Sequence, residues 1–154
     1  MTTPALPLPD SYNAAAATAA TPQEAARLVE LGELAEHMGI ELLELSPDFA
    51  VATMPVAGNR QPLGVLNGGA SAVLAETVAS IAARLHAFHV GGHAAVGVDL
   101  SITHHRPVRE GLVRAEATAL HRGRTTACYE IVLSDAAARR TATARLTLAV
   151  LRGA

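Results

Sequence analysis

The sequence predicts an α+β fold in which an antiparallel sheet of about six strands wraps around one long helix. Two observations lead to this prediction. A helix over residues from about 70 to 86 would be apolar on nearly every face, which is typical of a helix enclosed by protein or by membrane. The residues on either side of this segment favour enclosure by protein. From residue 94 onward, apolar residues alternate with polar ones at the period of a half-buried strand.

The composition indicates one globular domain. The chain has 154 residues, 50% of them hydrophobic and only 3% aromatic, so we expect a core of Ala, Val and Leu. We assign residues 1–20, rich in Pro, Ala and Thr, to a loose tail and residues 21–154 to the domain. A net charge of −2 gives no reason to expect nucleic-acid binding. The N-terminus lacks the basic and apolar regions of a signal peptide, and no segment suits a membrane span, so we expect a cytoplasmic protein.

The elements follow in order. Thr21 suits a helix N-cap and Pro22 the first helical position, so we expect one helix ending near Gly39. Its core-facing residues should be Ala25, Leu28, Leu31 or Leu34, and Ala35. A hairpin is predicted over about 40–56, because Ser-Pro-Asp at 46–48 is a turn signal between two apolar runs. A loop over 58–69 leads into the long helix.

The second half of the chain predicts four strands, at about 94–105, 112–121, 125–134 and 139–151. The alternation is clearest in RTATARLTLAVLR, where Ala and Leu occupy every second position. Because short turns separate them, we expect these strands to form a meander.

Glu76 is the residue on which a functional interpretation depends. It is the one charged side chain between Arg60 and Arg84, and Ser80 shares its helix face. A carboxylate in an apolar cleft has a raised free energy in its charged form and can attack a carbonyl or activate water. The alternative is a buried structural ion pair with a core Arg or His, and the residues alone leave both interpretations open.

Three stretches resemble the hotdog-fold acyl-CoA thioesterases. QPLGVLNGGASAVLAETVAS is similar to the active-site segment of the branch that contains 4-hydroxybenzoyl-CoA and 1,4-dihydroxy-2-naphthoyl-CoA thioesterases and the proofreading thioesterase of enterobactin synthesis. VDLSITHHRPVREGLVRAEA and LHRGRTTACYEIVLSDAAARR match further motifs, so the resemblance covers about residues 36–151. It implies a hotdog fold, hydrolysis of acyl-CoA with an aromatic or bulky acyl group, no cofactor, and assembly as a homodimer or homotetramer.

The resemblance also implies catalytic roles. Glu76 would act as nucleophile or general base, and the Gly68 N–H would bind the oxyanion of the thioester. Gln61 would reach the site from a partner subunit, unless it is a solvated loop residue. Ser80 would hydrogen-bond Glu76 or the acyl end, unless it bonds its own backbone. Asn67 departs from the family, which usually has His there. Asn keeps a donor and an acceptor but cannot become a cation, so full activity, altered preference and reduced rate all remain open.

Substrate contacts are expected mainly from two arginine-bearing turns, since CoA carries three phosphates. Each arginine is nearly as well explained as a solvated loop charge. The complete set of predicted substrate-binding residues is Gly69, Thr77, His104, Arg106, Arg109, Arg122, Gly123, Arg124 and Thr125.

Metal and disulfide chemistry are not expected. The histidines show no H-x-x-x-H or H-E-x-x-H spacing on a helix, and Cys128 is the single cysteine, expected to pack as a small apolar residue. Two other functions stay open: a proofreading thioesterase acting on misacylated carrier protein, and a non-catalytic acyl-CoA-binding protein.

Overall fold

The computed structural model describes residues 10–152, which form a six-stranded antiparallel sheet packed on one long helix. The sheet has the strand order β1-β2-β4-β5-β6-β3. The strands are β1 (Glu41–Leu45), β2 (Phe49–Pro55), β3 (Ala94–His104), β4 (Leu112–Arg122), β5 (Thr126–Ser134) and β6 (Arg140–Leu151). The helices are α1 (Asp10–Ala17), α2 (Pro22–Arg27), α3 (Glu33–His37) and α4 (Gly68–His89). The predicted architecture is confirmed.

One pairing in the predicted meander is wrong. Strands β4, β5 and β6 are consecutive neighbours, but β3 pairs with β6 instead of β4, and β4 pairs with β2. Alternation fixes which face of a strand is buried and says nothing about its neighbour, so the sequence pattern could not distinguish these topologies. As a result β3 is an edge strand, with a register shift between Gly97 and Asp99.

The central helix α4 begins two residues earlier and ends three residues later than predicted. Most of its surface packs into the Ala- and Leu-rich core, with Leu74, Val78 and Ala82 fully buried. The expectation of an enclosure on nearly every face is wrong for one stripe, which we call the open face of α4. Within residues 70–87 the half-exposed positions are Ala72, Val73, Glu76, Thr77, Ser80 and Arg84. This spacing of three to four residues places them on one side of the helix.

The single helix predicted over 21–39 is two short helices, α2 and α3. Thr21 caps α2 as predicted, with its side chain accepting from the Glu24 N–H at 3.1 Å. Gly32, at φ +87°, separates the helices because that left-handed conformation cannot continue an α-helix.

The change of direction at Gly32 alters which residues face the core. Ala25 and Ala35 are buried as expected, and Leu31 is partly buried against the core. The prediction is wrong for Leu28, which is exposed; of the two alternatives Leu31 and Leu34, Leu31 packs on the core and Leu34 is exposed. Within the predicted tail, residues 10–17 form α1, and Ala16 packs into the core; residues 1–9 lie outside the described part of the chain.

The core contains Tyr129 as its largest fully buried side chain. Its hydroxyl donates to the Pro47 carbonyl oxygen at 2.7 Å, which ties β5 to the β1–β2 turn. Cys128 is also buried, as expected, and accepts from the Arg145 Nε at 3.2 Å. None of the helices in residues 10–152 is long and apolar enough to span a membrane.

Candidate active site

The N-terminus of α4 forms one side of the candidate site. Asn67 is the N-cap, and its Oδ1 accepts from the Gly69 N–H at 2.8 Å. The predicted catalytic Asn67 therefore has a structural contact of its own, and one of the two glycine amides is occupied. The Gly68 N–H is at the first helical position, which has no acceptor inside the helix, and it donates to no group in the described chain. It is thus free to donate to a ligand, next to the positive end of the helix dipole.

Gly68 is in close contact with His104 at the end of β3. A Cβ at Gly68 would lie 3.2 Å from the His104 Cε1, so the imidazole leaves no room for a larger residue without moving. The His104 Nε2 lies 3.3 Å from the Gly68 carbonyl oxygen. The predicted substrate-binding His104 and the predicted oxyanion donor are therefore adjacent.

A cleft of about 330 Å³ opens beside this contact. Gln61, Gly68, His104 and Arg106 all line it, together with Ser71 from the first turn of α4. Four of the predicted site residues, drawn from two loops, a strand and a helix, are thus brought together in one protomer. Gly69, the next helical residue, is exposed beside them.

Glu76 lies in the middle of the open face of α4, with its carboxylate against the backbone of β3. The Ser80 hydroxyl donates to the Glu76 Oε1 at 3.3 Å, which is one of the two partners expected for Ser80. Among the described residues no cation pairs with Glu76, so the structural ion-pair interpretation finds no support there. Thr77, half-exposed, lies beside it on the same face.

Gly97 is a site residue that the sequence analysis missed. A Cβ built on it would overlap the Glu76 Oε1 and lie 3.2 Å from the Cδ, so only glycine leaves room for the carboxylate as it stands. The signal was present, because an isolated Gly inside a strand often marks a close approach of another group to the backbone.

Glu76 and the cleft around Gly68 are separate in one protomer. The two residues are eight apart on α4, which places them about 12 Å apart along the helix axis. A nucleophile or base must come within about 3–3.5 Å of the reacting atom. Within one protomer Glu76 and the Gly68 amide are therefore too far apart to act on one carbonyl group, and we refer to the surroundings of each as a half-site.

The two predicted arginine turns lie at opposite ends of the molecule. Arg106 lines the cleft, and the Arg109 carbonyl oxygen accepts two bonds of 3.1 Å from the Arg60 guanidinium. The other turn, residues 122–125, lies at the C-terminal end of α4, where the Gly123 carbonyl oxygen is 2.9 Å from the His86 Nε2.

The residues of this second turn are used within the fold. Arg122 forms an ion pair with Asp48, the Arg124 carbonyl oxygen accepts from Arg152, and the Thr125 carbonyl oxygen accepts from the Val150 N–H. In a single protomer the structure does not bring this turn to the cleft. In the described chain no three His, Cys, Asp or Glu side chains are grouped closely enough to hold a metal ion.

Comparison with known proteins identifies the family. A family model described as the thioesterase superfamily matches residues 63–142, more than half of the chain, including Gly68, Glu76 and Gly97. The chain belongs to the thioesterase superfamily. The expected hotdog fold is confirmed, and the protein is a thioester hydrolase.

Relatives in this superfamily support the assignment. The proofreading thioesterase EntH of Cronobacter turicensis is 46% identical over 129 residues, covering 83% of this chain and 93% of its own length. EntH of Klebsiella pneumoniae is 47% identical over 116 residues, 75% of this chain and 83% of the relative. Among solved structures, thioesterase HI1161 of Haemophilus influenzae superimposes with a TM-score of 0.76 at 36% identity, covering 88% of this chain and 93% of that one.

Proposed function

We propose that this thioesterase hydrolyses acyl-CoA esters with aromatic or otherwise bulky acyl groups, at a site shared between two copies of the chain. The observation that carries the proposal is the separation of Glu76 from the Gly68 amide by about 12 Å along α4. Both are assigned to the same carbonyl group, yet within one protomer they lie too far apart to reach it together.

A two-fold arrangement of two copies solves this problem. If the α4 helices of two copies cross antiparallel near Ala72, midway between Gly68 and Glu76, each Glu76 lies opposite the Gly68 of the other copy. Ala72 and Val73 are half-exposed on the open face, and the small Ala72 side chain permits close approach of the second helix. The second copy would then cover the open face and exclude water from the carboxylate.

The edge strand β3 supplies a second contact for the same dimer. Val96 and Val98 expose 42% and 67% of their surface on a strand that is paired on one side only. Long unpaired edges with apolar side chains recruit another strand. Pairing of two β3 edges would join the two sheets. Further pairing of dimers into a tetramer is a finer expectation that rests on the family resemblance. A cytoplasmic location is also part of the proposal.

The chemistry assigned to the shared site is the hydrolysis R–CO–S–CoA + H₂O → R–COOH + CoA–SH. Glu76 attacks the thioester carbon as a nucleophile or removes a proton from the attacking water. The carbonyl oxygen gains negative charge and is stabilised by the Gly68 N–H of the other copy. Collapse of this intermediate breaks the C–S bond, and the departing thiolate takes up a proton to give CoA–SH. In the nucleophilic route the acyl group remains on Glu76 as a mixed anhydride, which water then hydrolyses to the free acid. Gln61, in the cleft with Gly68, is assigned to positioning the acyl group or the water.

A second candidate substrate is an acyl group misloaded on a carrier-protein phosphopantetheine. The observation that favours it is the 46% identity to a proofreading thioesterase over most of both chains. A direct comparison of one aroyl group on CoA and on a carrier protein, scored by kcat/KM for thiol release, decides between them. A preference of 100-fold or more for the carrier protein would replace CoA in the proposal.

The shared site is tested by subunit complementation. Glu76→Gln should retain binding of the CoA ester and lose nearly all turnover, and Gln61→Ala damages the other half-site. After the two variants are mixed and allowed to exchange, mixed dimers should contain one intact site, restoring about a quarter of wild-type activity. A matched control mixes Glu76→Gln with a variant that carries both Glu76→Gln and Gln61→Ala. No chain in this mixture has Glu76, so no intact site can form. Exchange without restored activity would contradict the shared site, and normal turnover in Glu76→Gln would contradict the catalytic assignment.

A further inference from the structure

Arg84 is the last residue of the open face of α4 and has an unexplained polar atom. Its Nη2 is buried and makes no hydrogen bond within the described chain. Burial lowers the pKa of the Arg84 guanidinium, which reflects the cost of holding this cation away from water. A partly buried guanidinium with one unbonded nitrogen is costly, so an anionic group that accepts from this nitrogen would be stabilised there.

In the described part of the chain, the helix α4 and the strand that flanks Arg84 bring no carboxylate to its level. Glu76 is the single acid in α4, about 12 Å away along the axis. The neighbouring strand runs antiparallel to the helix, since Gly97 lies beside Glu76, and a Cβ at Gly92 would lie 3.1 Å from the Ala87 carbonyl oxygen. Residues 92–97, GHAAVG, therefore flank Arg84 and contain no acid. They contain His93, whose Nδ1 is likewise buried and unbonded in the described chain.

In the dimer proposed above, the loop that precedes α4 in the second copy offers Arg84 no carboxylate either. Because α4 begins at Gly68, helices crossing near Ala72 carry Arg84 beyond the N-terminus of the other α4, on the side of the loop that precedes it. The segment 57–67, AGNRQPLGVLN, has no Asp or Glu and includes Arg60. Residues 92–97 of one chain and 57–67 of the other thus contain only neutral groups, histidine and arginine.

We propose that Arg84 binds a carboxylate at the far end of the acyl group, so that the preferred substrates are thioesters of dicarboxylic acids, with an aromatic ring between the two ends. This inference rests on the proposed function, because it needs the thioester at Glu76. The acyl group would extend from Glu76 past Ser80 along the open face toward Arg84. Helix side chains lean toward the N-terminus, so the guanidinium points back along this path. Its planar fork suits bidentate binding of a carboxylate, and His93 can add a hydrogen bond.

The test compares two CoA esters of equal shape, 4-carboxybenzoyl-CoA and 4-methylbenzoyl-CoA. The wild-type protein should prefer the carboxylate, and Arg84→Met should lower the ratio of the two kcat/KM values about 100-fold, as expected for a charged hydrogen-bonded pair. Arg84→Lys should fall between them, since lysine keeps the charge without the fork. Arg27→Met, which removes an exposed helical arginine, is the matched control and should leave the ratio unchanged.

Two results would overturn the assignment of Arg84. One is an equal loss on both esters in Arg84→Met, and the other is dissociation of the dimer in sedimentation experiments, which would show a role in assembly. If wild-type protein hydrolyses neither ester, the proposed function fails, and Arg84 is then judged by binding alone. Calorimetry of the free acids, 4-carboxybenzoate against 4-methylbenzoate, gives that measurement, and equal affinities that do not respond to Arg84→Met would refute the inference.

Discussion

Substitution of Gly97 by alanine provides a direct test of how the acid is held. The carboxylate of Glu76 lies against the Gly97 backbone, where a methyl group would overlap the Oε1 and lie 3.2 Å from the Cδ. Because φ of Gly97 is not positive, alanine can adopt the same backbone conformation. The new methyl group must therefore displace the flexible carboxylate and not the strand.

The size of the effect follows from the geometry. Relieving the overlap requires the carboxylate to move by about 1 Å, and a misplacement of that size costs roughly 100-fold in rate, or about 2.7 kcal/mol of transition-state free energy. The free energy of unfolding should not fall, since alanine in a strand is about 0.5–1 kcal/mol more favourable than glycine. Activity and stability should thus change in different directions.

The assay is steady-state thiol release, with urea unfolding measured in parallel. Glu76→Asp provides the matched background, because the shorter acid withdraws from Gly97 and leaves room for the methyl group. In that background Gly97→Ala should cost less than about 5-fold, giving a coupling energy above 1.5 kcal/mol. The reasoning would be refuted if Gly97→Ala lowered the rate by the same factor in the Glu76 protein and in the Glu76→Asp protein. It would also be refuted if Gly97→Ala lowered the free energy of unfolding enough to account for the loss of rate.

Three further predictions concern the scaffold, and a fourth concerns the turnover of the site. Tyr129→Phe should destabilise the fold by about 1–2 kcal/mol at pH 7. Burial raises the pKa of the Tyr129 phenol, so this contribution is present below about pH 10 and is lost at higher pH. Alkaline unfolding of the wild-type protein and of Tyr129→Phe measures this difference. The Arg139 side chain and backbone amides hold the pKa of the Asp135 carboxyl below its usual value, so the stability lost in Asp135→Asn should be constant at neutral pH and should diminish progressively as the pH falls below about 4. Asn67→Ala should reduce the free energy of unfolding by about 1 kcal/mol and Asn67→Asp by much less, because only the aspartate keeps the N-cap acceptor. Asn67→His tests the departure from the family directly, and a gain in turnover of several orders of magnitude would show that asparagine limits the natural site.

The strands and the central helix were predictable from sequence because burial imposes a period on the residues. The alternation in β4, β5 and β6 gave their extent within one or two residues. Strand pairing was less accessible, because β3 has the same pattern whether it lies beside β4 or β6. The break between α2 and α3 has a sequence signal in Gly32, which follows the largely apolar LVEL. The helix at residues 10–17 has one in its four consecutive alanines, since alanine is the best helix former.

The candidate site was partly predictable for a different reason. Gln61, Gly68, Glu76 and His104 are carried by ordered motifs, and the structure places three of them together in the cleft. The distance between Glu76 and that cleft depends on helix length and direction, which no motif records. The role proposed for Arg84 could not be predicted from sequence either. A single charge in an apolar helix becomes informative only when the structure shows that its surroundings lack a partner.

The exposed edge of β3 has a consequence for how the chain is produced. Residues 94–98, AAVGV, contain no charge and no proline, the usual protections against uncontrolled strand addition. A newly synthesised or refolding chain therefore exposes an aggregation-prone strand edge until that edge pairs with a second copy. Refolding yield should pass through a maximum with protein concentration, since very dilute chains stay unprotected for longer and crowded chains precipitate. Replacing Val98 by lysine should widen the range of concentrations over which chains remain in solution, while weakening their assembly.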